Sequence, residues 1–428
     1  MRQRAELFSY VGLDVTPDSL TGHYEVDGRP FVETVTFEGV NSLKTPAVTA
    51  LAQLWYLVAG LSYYKAGAAR RIDVGATPLG SHGRRLLKAA LVDGLGEFAY
   101  RNQLPLNDVT IEGLVGVETY QHSVDTNRVV TPFGGGIDSV VTTEKLRGLV
   151  DQKLFVVSPS AGRFTPLEET AAVSGFDVVR ASRTLDPQIV RGDESFFNGH
   201  VPVTTMITLL AAVAAVASGR GGVALSNEHS SSTANLRWHN SDINHQWSKS
   251  WNAEKLIASA VAERVGDELV VASYLRDRSE LWVAEAFSHL TQYHHVFRSC
   301  NRAFNQTPDQ RATQWCGECD KCLFVNLVLA PFLSRTDLWT IFSSEPLSDS
   351  RREQQLRTLV GLGEEHKPFE CVGDPDESAV ALTAVSRLEE WRDVTILSEL
   401  AHELRAERET ADLLEPQGPS RVPAHWLR

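Results

Sequence analysis

From residue 128 to residue 225, short β-branched runs alternate with longer stretches of helical periodicity, and that texture leaves few ways to fold. Four strands are expected: Arg128-Val129-Val130-Thr131, Leu154-Phe155-Val156-Val157, Asp177-Val178-Val179-Arg180 and Gly222-Val223-Ala224-Leu225. Helices over Ser139 to Val150, Pro166 to Ser174 and Thr204 to Ser218 separate them. Parallel neighbours need crossovers of this length, and each crossover lays a helix on one face of the sheet. The predicted fold class is therefore α/β, with a parallel, doubly wound core.

The flanks read differently. Residues 1–125 mix a strand-like piece, Phe31 to Phe37, with helical pieces at Thr49 to Lys65 and Arg84 to Arg101, as expected of an N-terminal α+β domain. The core domain is placed at 126–335. Residues 336–428 form a charged helical region, with helices at Glu377 to Trp391 and Ile396 to Ala411 and a Pro-containing tail. No internal repeat or low-complexity segment is visible. With 41 Lys+Arg against 54 Asp+Glu, the net charge is −13. That balance, without a basic run, argues against a nucleic-acid partner. The apolar tract Val203 to Ala217 falls short of the ~20 residues that span a bilayer and reads as a buried helix, so no membrane association is expected. The N-terminus lacks a signal-peptide pattern, and the five cysteines are too few to build a disulfide framework. Both point to a cytoplasmic protein with reduced thiols.

At the first strand-to-helix junction stands Phe133-Gly134-Gly135-Gly136-Ile137-Asp138-Ser139. Gly134, Gly135 and Gly136 allow a tight turn whose N–H groups can converge on phosphate oxygens. Ser139, at the helix start, can cap it or bind phosphate, where the helix dipole favours an anion. Asp138 would be repelled by phosphate, so its expected task is to hold Mg²⁺ or to fix the loop. No Gly-Lys-Ser/Thr follows and no Gly-x-Gly-x-x-Gly is present, which excludes a P-loop kinase and a dinucleotide fingerprint. A glycine turn merely capped by Asp-Ser is the plainer alternative.

The fourth strand runs into Ser226-Asn227-Glu228-His229 and on through Asn235 to Asn244-His245-Gln246-Trp247-Ser248-Lys249-Ser250 and Glu254. Ligands bind beyond the carboxyl ends of strands in open α/β sheets, so this dense polar set falls where a nucleotide would meet a second substrate. Asn227 is a candidate for nucleotide binding, and Glu228, His229 and His245 are candidates for acid and base. Lys249 is suited to neutralising an α-phosphate. A solvated loop is the alternative, although the interleaved Trp238, Trp247 and Trp251 are unusual for one.

Further on, Cys300, Cys316, Cys319 and Cys322 follow a C-x15-C-x2-C-x2-C spacing. Four thiolates complete a tetrahedral Zn²⁺ shell; an iron–sulfur cluster, a pair of acid/base thiols, or unbound thiols at a helix start are the competing readings. The run Leu323 to Leu333 reads as a core helix stopped by Pro331.

The glycine loop resembles the Ser-Gly-Gly-x-Asp-Ser signature of the PP-loop ATP pyrophosphatases, with Gly134 in place of the leading serine. That resemblance implies ATP with Mg²⁺, a pyrophosphate cradle in the loop, and adenine near Val157 and Ser158. Together, the loop, the Ser226 to Glu228 and Asn244 to Ser250 segments and the Cys316 to Leu333 block resemble the MurL-type UDP-N-acetylmuramoyl-L-alanyl-L-glutamate epimerases. The resemblance spans roughly residues 128 to 333. It implies a peptidoglycan-precursor enzyme that adenylates the α-carboxylate of UDP-MurNAc-L-Ala-L-Glu, inverts Cα and releases AMP and pyrophosphate, the UDP-sugar resting partly on the N-terminal domain. Two alternatives stay open. One is another carboxylate-adenylating PP-loop enzyme, such as a 7-cyano-7-deazaguanine synthase, whose zinc site the clustered cysteines also resemble. The other is a zinc-stabilised nucleotide-binding protein without turnover. No oligomeric state follows from the sequence.

Overall fold

Leu154 and Val156 face one way and Phe155 the other on a single strand, and all three are buried. A strand buried on both sides belongs to a sheet covered on both sides. The computed structural model describes residues 2–113, 116–159, 162–303, 312, 314–363, 366–404 and 408–427.

The strands are β1 (Leu7–Val15), β2 (Ser19–Val26), β3 (Arg29–Glu38), β4 (Arg71–Asp73), β5 (Thr110–Glu112), β6 (Asp125–Pro132), β7 (Asp151–Pro159), β8 (Val178–Thr184), β9 (Arg220–Leu225), β10 (Leu236–Trp238), β11 (Ser241–Ile243) and β12 (Val270–Ser273). Ten of them form one sheet in the order β12-β9-β6-β7-β8-β3-β2-β1-β4-β5, while β10 and β11 form a separate ribbon. From β12 to β8 every neighbour is parallel, which bears out the expected parallel core and places all four predicted strands in it. The fifth parallel strand, β12, has four residues and went unpredicted because so short a run carries no periodicity.

The sheet does not stop near residue 125. β3 pairs antiparallel with β8, so the β1–β3 meander extends the parallel sheet. At that seam Arg183 Nε donates to the fully buried Glu33 at 2.5 Å. One apolar core lies on one face, where Trp55, Leu87 and Phe98 pack with Leu209, Leu225 and Val261. The opposite face buries Leu154 and Val156 with Val140, Phe287, Phe324 and Leu382. The C-terminal helices thus complete the second layer. The tail returns to insert Trp426 beside Val129, Ala224 and Ala272.

Several helices end earlier than their hydrophobic pattern suggests. The stretch Thr49 to Lys65 is two helices, Pro46–Ala59 and Leu61–Gly67, meeting at Gly60. A Cβ on Gly60 would lie 2.5 Å from the Tyr10 ring, so β1 packs directly on this junction. Arg84 to Arg101 likewise divides into Ser81–Val92 and Gly96–Asn102, where the chain turns past Gly94. The helix expected to reach Val150 spans only Ile137–Lys145. The one expected from Glu377 to Trp391 is Pro375–Ser386 followed by a short turn, Glu389–Trp391. The one expected from Ile396 to Ala411 is seen as Thr395–Leu404 and Thr410–Leu414, residues 405–407 lying outside the described residues. The core helix before Pro331 is Asp320–Leu329.

Candidate active site

The chain runs from β6 outward through β7 to β8, and β9 then returns to the other side of β6. That reversal opens a crevice beyond the carboxyl ends of β6 and β9, the usual ligand position in an open α/β sheet. The glycine loop leaves β6 on one side of it, and Ser226-Asn227-Glu228 leaves β9 on the other.

Gly135 takes a φ of +71°, a conformation that disfavours any residue with a Cβ. Gly136 is the N-cap of the helix Ile137–Lys145 and supplies no side-chain cap. Ser139 Oγ donates back to the Gly136 carbonyl at 3.0 Å, so in this state the hydroxyl steadies the turn. The first-turn N–H groups of that helix are thus left without a side-chain acceptor at the crevice, as an anion site requires. Around Gly134 the space is open, enough for the serine that the PP-loop signature carries there.

Asp138, in the first turn, has a buried Oδ1 with no hydrogen-bond partner, and the same is true of Glu228 Oε2. Burial and the nearby Glu228 carboxylate push the Asp138 acid up to about 6, against the pull of Lys321 and Lys249. Glu280, also buried, is pushed up by burial and by the charges of Glu228 and Asp138. Crowded carboxylates with orphaned oxygens suit a hard divalent cation, which would supply the missing charge and take the oxygens as ligands. Lys249 is held well above its ordinary value, chiefly by Cys371 and, after the opposing cost of burial, by Glu228 and Asp138.

A second buried pair fixes these loops. Arg276 Nε donates to Glu254 Oε2 at 2.8 Å, with both side chains 1% exposed. The same guanidinium donates to the carbonyls of Glu228 (2.9 Å) and Lys249 (2.6 Å). Asn227 is pinned to β12, since Ser273 Oγ accepts from its N–H and donates to its carbonyl, each at 2.6 Å. Asn244 and Ser231 close the loop between them, Asn244 Nδ2 donating to the Ser231 carbonyl at 3.0 Å. The polar constellation is therefore a structured site wall and not a solvated loop.

The feature that sequence reasoning missed is the company His245 keeps. Its Nδ1 lies 2.5 Å from Glu97 Oε2, and the neighbouring Gln246 Nε2 donates to the Val372 carbonyl, which brings the Cys371 segment beside the ring. Arg101 Nε takes the other Glu97 oxygen at 2.6 Å, and the His200 ring packs on His245 at 4.2 Å between centroids. Burial disfavours the His245 charge, but Cys371 and Glu97 outweigh it and hold the imidazolium up to about 9. Burial likewise raises the Cys371 thiol; Lys249 and His245 overcome this and bring it down to about 6. The pair is thus a thiolate and an imidazolium at neutral pH, whereas burial and the His245 charge press His200 down to about 4 and keep it neutral. Cys371 stands alone in the sequence and Glu97 reads as an ordinary acid in the first turn of a helix, so neither carried a local signal.

His229 is not brought to this group. A Cβ on Gly418 would lie 2.9 Å from its ring, so it faces the C-terminal tail. Val157 and Ser158 lie in the last turns of β7, beside the glycine loop in the strand order, with Ser158 buried.

On the far side of the site, Cys300, Cys316, Cys319 and Cys322 converge with all sulfurs within 4.8 Å of one another. Cys316 and Cys322 are 3.6 Å apart and Cys319 and Cys322 3.4 Å, near the roughly 3.8 Å edge of a tetrahedral Zn–S4 shell with 2.3 Å bonds. The enclosed space suits one ion better than a multi-iron cluster. Cys319 is the N-cap of the helix Asp320–Leu329, and Lys321 N–H donates to Glu370 Oε2 at 3.0 Å. The thiol group therefore anchors the residue next to Cys371.

Comparison with known proteins matches residues 1–274 to the MurL N-terminal domain and residues 296–415 to the MurL C-terminal domain. A protein of Micromonospora sp. named UDP-N-acetyl-alpha-D-muramoyl-L-alanyl-L-glutamate epimerase is 35% identical over 100% of this chain and 98% of its own length. Proteins of the same name from Salinispora tropica (37%, covering 87% of this chain and 82% of theirs) and Xanthomonas oryzae pv. oryzae (32%, covering 98% and 96%) are also similar. No solved structure matches.

Proposed function

Because this chain belongs to the MurL family, we propose that it is an isomerase that inverts the terminal glutamate of UDP-MurNAc-L-Ala-L-Glu to the D form. The proposal extends to an ATP-dependent route through an acyl-adenylate on a PP-loop core. The single observation that carries it is the meeting, at the switch point of the parallel sheet, of an uncapped glycine-rich helix start with Asp138, Glu228 and Lys249.

The need for ATP follows from the chemistry. A Cα proton beside a carboxylate is hard to remove, because the carbanion would form next to an existing negative charge. Adenylation neutralises that carboxylate and makes it electron-withdrawing, after which a side-chain base can act. In this reading Gly134, Gly135, Gly136 and Ser139 receive the β,γ-phosphates, Lys249 offsets charge on the α-phosphate, and adenine rests by Val157, Ser158 and Asn227. Asp138 and Glu228 would hold Mg²⁺, which when bound screens phosphate charge during transfer. The four clustered cysteines would hold a structural Zn²⁺. The substrate is a polyanionic, water-soluble precursor, which suits a cytoplasmic enzyme, and no helix among the described residues is long and apolar enough to cross a membrane.

The test is incubation with ATP, Mg²⁺ and UDP-MurNAc-L-Ala-L-Glu in D₂O, followed by hydrolysis and analysis of glutamate chirality and isotope content. D-Glutamate carrying Cα deuterium, with AMP, is expected. Retained L-glutamate without AMP would refute the reading, and ammonia incorporated into a carboxylate substrate would transfer it to the amide- or nitrile-forming PP-loop enzymes.

A further inference from the structure

Epimerisation needs a group that takes the Cα proton, and three candidates read from the sequence are occupied elsewhere. His229 faces Gly418. Glu228 lies with Asp138 in the carboxylate cluster. His245 already spends Nδ1 on Glu97 and is held protonated, with no lone pair left to take a proton. Resting on the function proposed above, we propose that Cys371 is the base on one face of the glutamate Cα, with His245 and Glu97 as positioning residues that orient its thiolate.

The surroundings of this thiol are built to hold it in one place. Asn235 Nδ2 donates to the carbonyls of Lys367 (3.2 Å) and Pro368 (2.7 Å), and Asn235 Oδ1 accepts from the His245 N–H at 2.8 Å. One amide therefore registers the Cys371 segment against the His245 loop. Gln246 Nε2 adds a bond to the Val372 carbonyl at 2.8 Å, and Glu370 is tied to Lys321 N–H. Cys371 remains only partly buried and lies outside the four-thiol cluster. Two unpartnered polar groups more than nine-tenths buried, Glu228 Oε2 and Lys367 Nζ, act electrostatically on the same site. Cys371, Glu228 and Asp138 together sustain the Lys249 charge against the cost of its burial. Glu97, His200 and His245 also come within 4.8 Å of one another. Their closeness is accounted for by the Glu97–His245 hydrogen bond and the ring contact, without an ion.

The step balances without a further reagent. A sulfur lone pair takes the Cα proton, forming S–H as Cα–H breaks, and the electron pair passes onto the carbonyl oxygen of the activated carboxyl as an enolate. A solvent-derived proton then adds to the opposite face of Cα, the carbonyl re-forms, and the thiol proton returns to solvent.

The experiment compares wild type, Cys371→Ser and Glu97→Gln with ATP, Mg²⁺ and substrate in D₂O, reading AMP, deuterium at Cα and chirality separately. Cys371→Ser should still form AMP while inversion and deuterium uptake fall by about 10²–10⁴-fold. Deuterium uptake at the wild-type rate in that variant overturns the assignment, as does loss of AMP formation together with inversion in a variant that melts like wild type. If the variant fails to fold, wild type alkylated at Cys371 by iodoacetamide, verified by peptide mass spectrometry, gives the answer: persistent exchange refutes the base, and abolished exchange with substrate protection supports it. Glu97→Gln should lower kcat for inversion with little change in KM and move the pH midpoint of Cys371 alkylation. An unmoved midpoint refutes the positioning role. Wild type that forms neither AMP nor D-glutamate refutes the function itself, an outcome distinct from failure of Cys371 alone.

Discussion

Replacing Arg276 by methionine removes the cation that joins four parts of the site wall. Its partner Glu254 is 1% exposed and keeps only the Ser273 N–H at 3.1 Å, so the variant strands a buried carboxylate. Breaking a buried pair in this way costs about 3–5 kcal/mol. The Glu228 and Lys249 carbonyls also lose a donor each; Ser231 Oγ approaches both, at 2.7 and 3.0 Å, but its one hydrogen serves only one of them. An orphaned buried carbonyl adds about 1–3 kcal/mol. Arg276→Met should therefore lose most of the stability of an ordinary domain, read as a lowered urea midpoint by circular dichroism. The double variant Arg276→Met/Glu254→Leu removes the stranded charge and leaves the carbonyl loss and an unpaired Ser273 N–H, a smaller cost, so it should be more stable than the single variant. A double variant no more stable than the single, or a single variant costing under about 1 kcal/mol, would refute this account of the clamp.

Other expectations follow from the same geometry. Asp138→Asn should abolish AMP formation without lowering the melting temperature, because the carboxylate it replaces is desolvated and lacks a partner on Oδ1. Its acid is raised from 3.8 to about 6, so the charged form opposes folding above that pH, and in metal-free protein the stability gain of the variant should be larger at pH 8 than at pH 5. Alkylation of Cys371 should be half-maximal near pH 6 in place of the ordinary 9, and Lys249→Met should move that midpoint upward. The sign for stability is opposite for its partner: the lowered Cys371 contributes stability lost as pH falls through about 6, and the raised His245 contributes stability lost as pH rises through about 9. Purified protein should carry about one zinc, and Cys322→Ser should lower both metal content and melting temperature. Metal-free wild type with an unchanged Cys322→Ser variant would return those thiols to the acid/base reading.

The parallel core was legible because its cues are local. Each of β6, β7 and β8 carries β-branched residues and β9 is a short apolar run, each crossover helix carries its own period, and the loop glycines stand in consecutive positions between a strand and its helix. The cysteine convergence was legible for the same reason, three of its four thiols falling within seven residues. The sequence reading missed the helix junctions at Gly60 and Gly94, where the backbone is closely packed, and β12, recognisable only by its pairing with β9. The His245 assignment shows the boundary most clearly. The sequence by itself determined that a histidine and a lysine would stand beyond the fourth strand. Only the tertiary structure brought Glu97, His200 and Cys371 to that histidine, because contacts between residues many tens of positions apart leave no trace in spacing, and a thiol becomes a thiolate only through the charges that folding sets beside it.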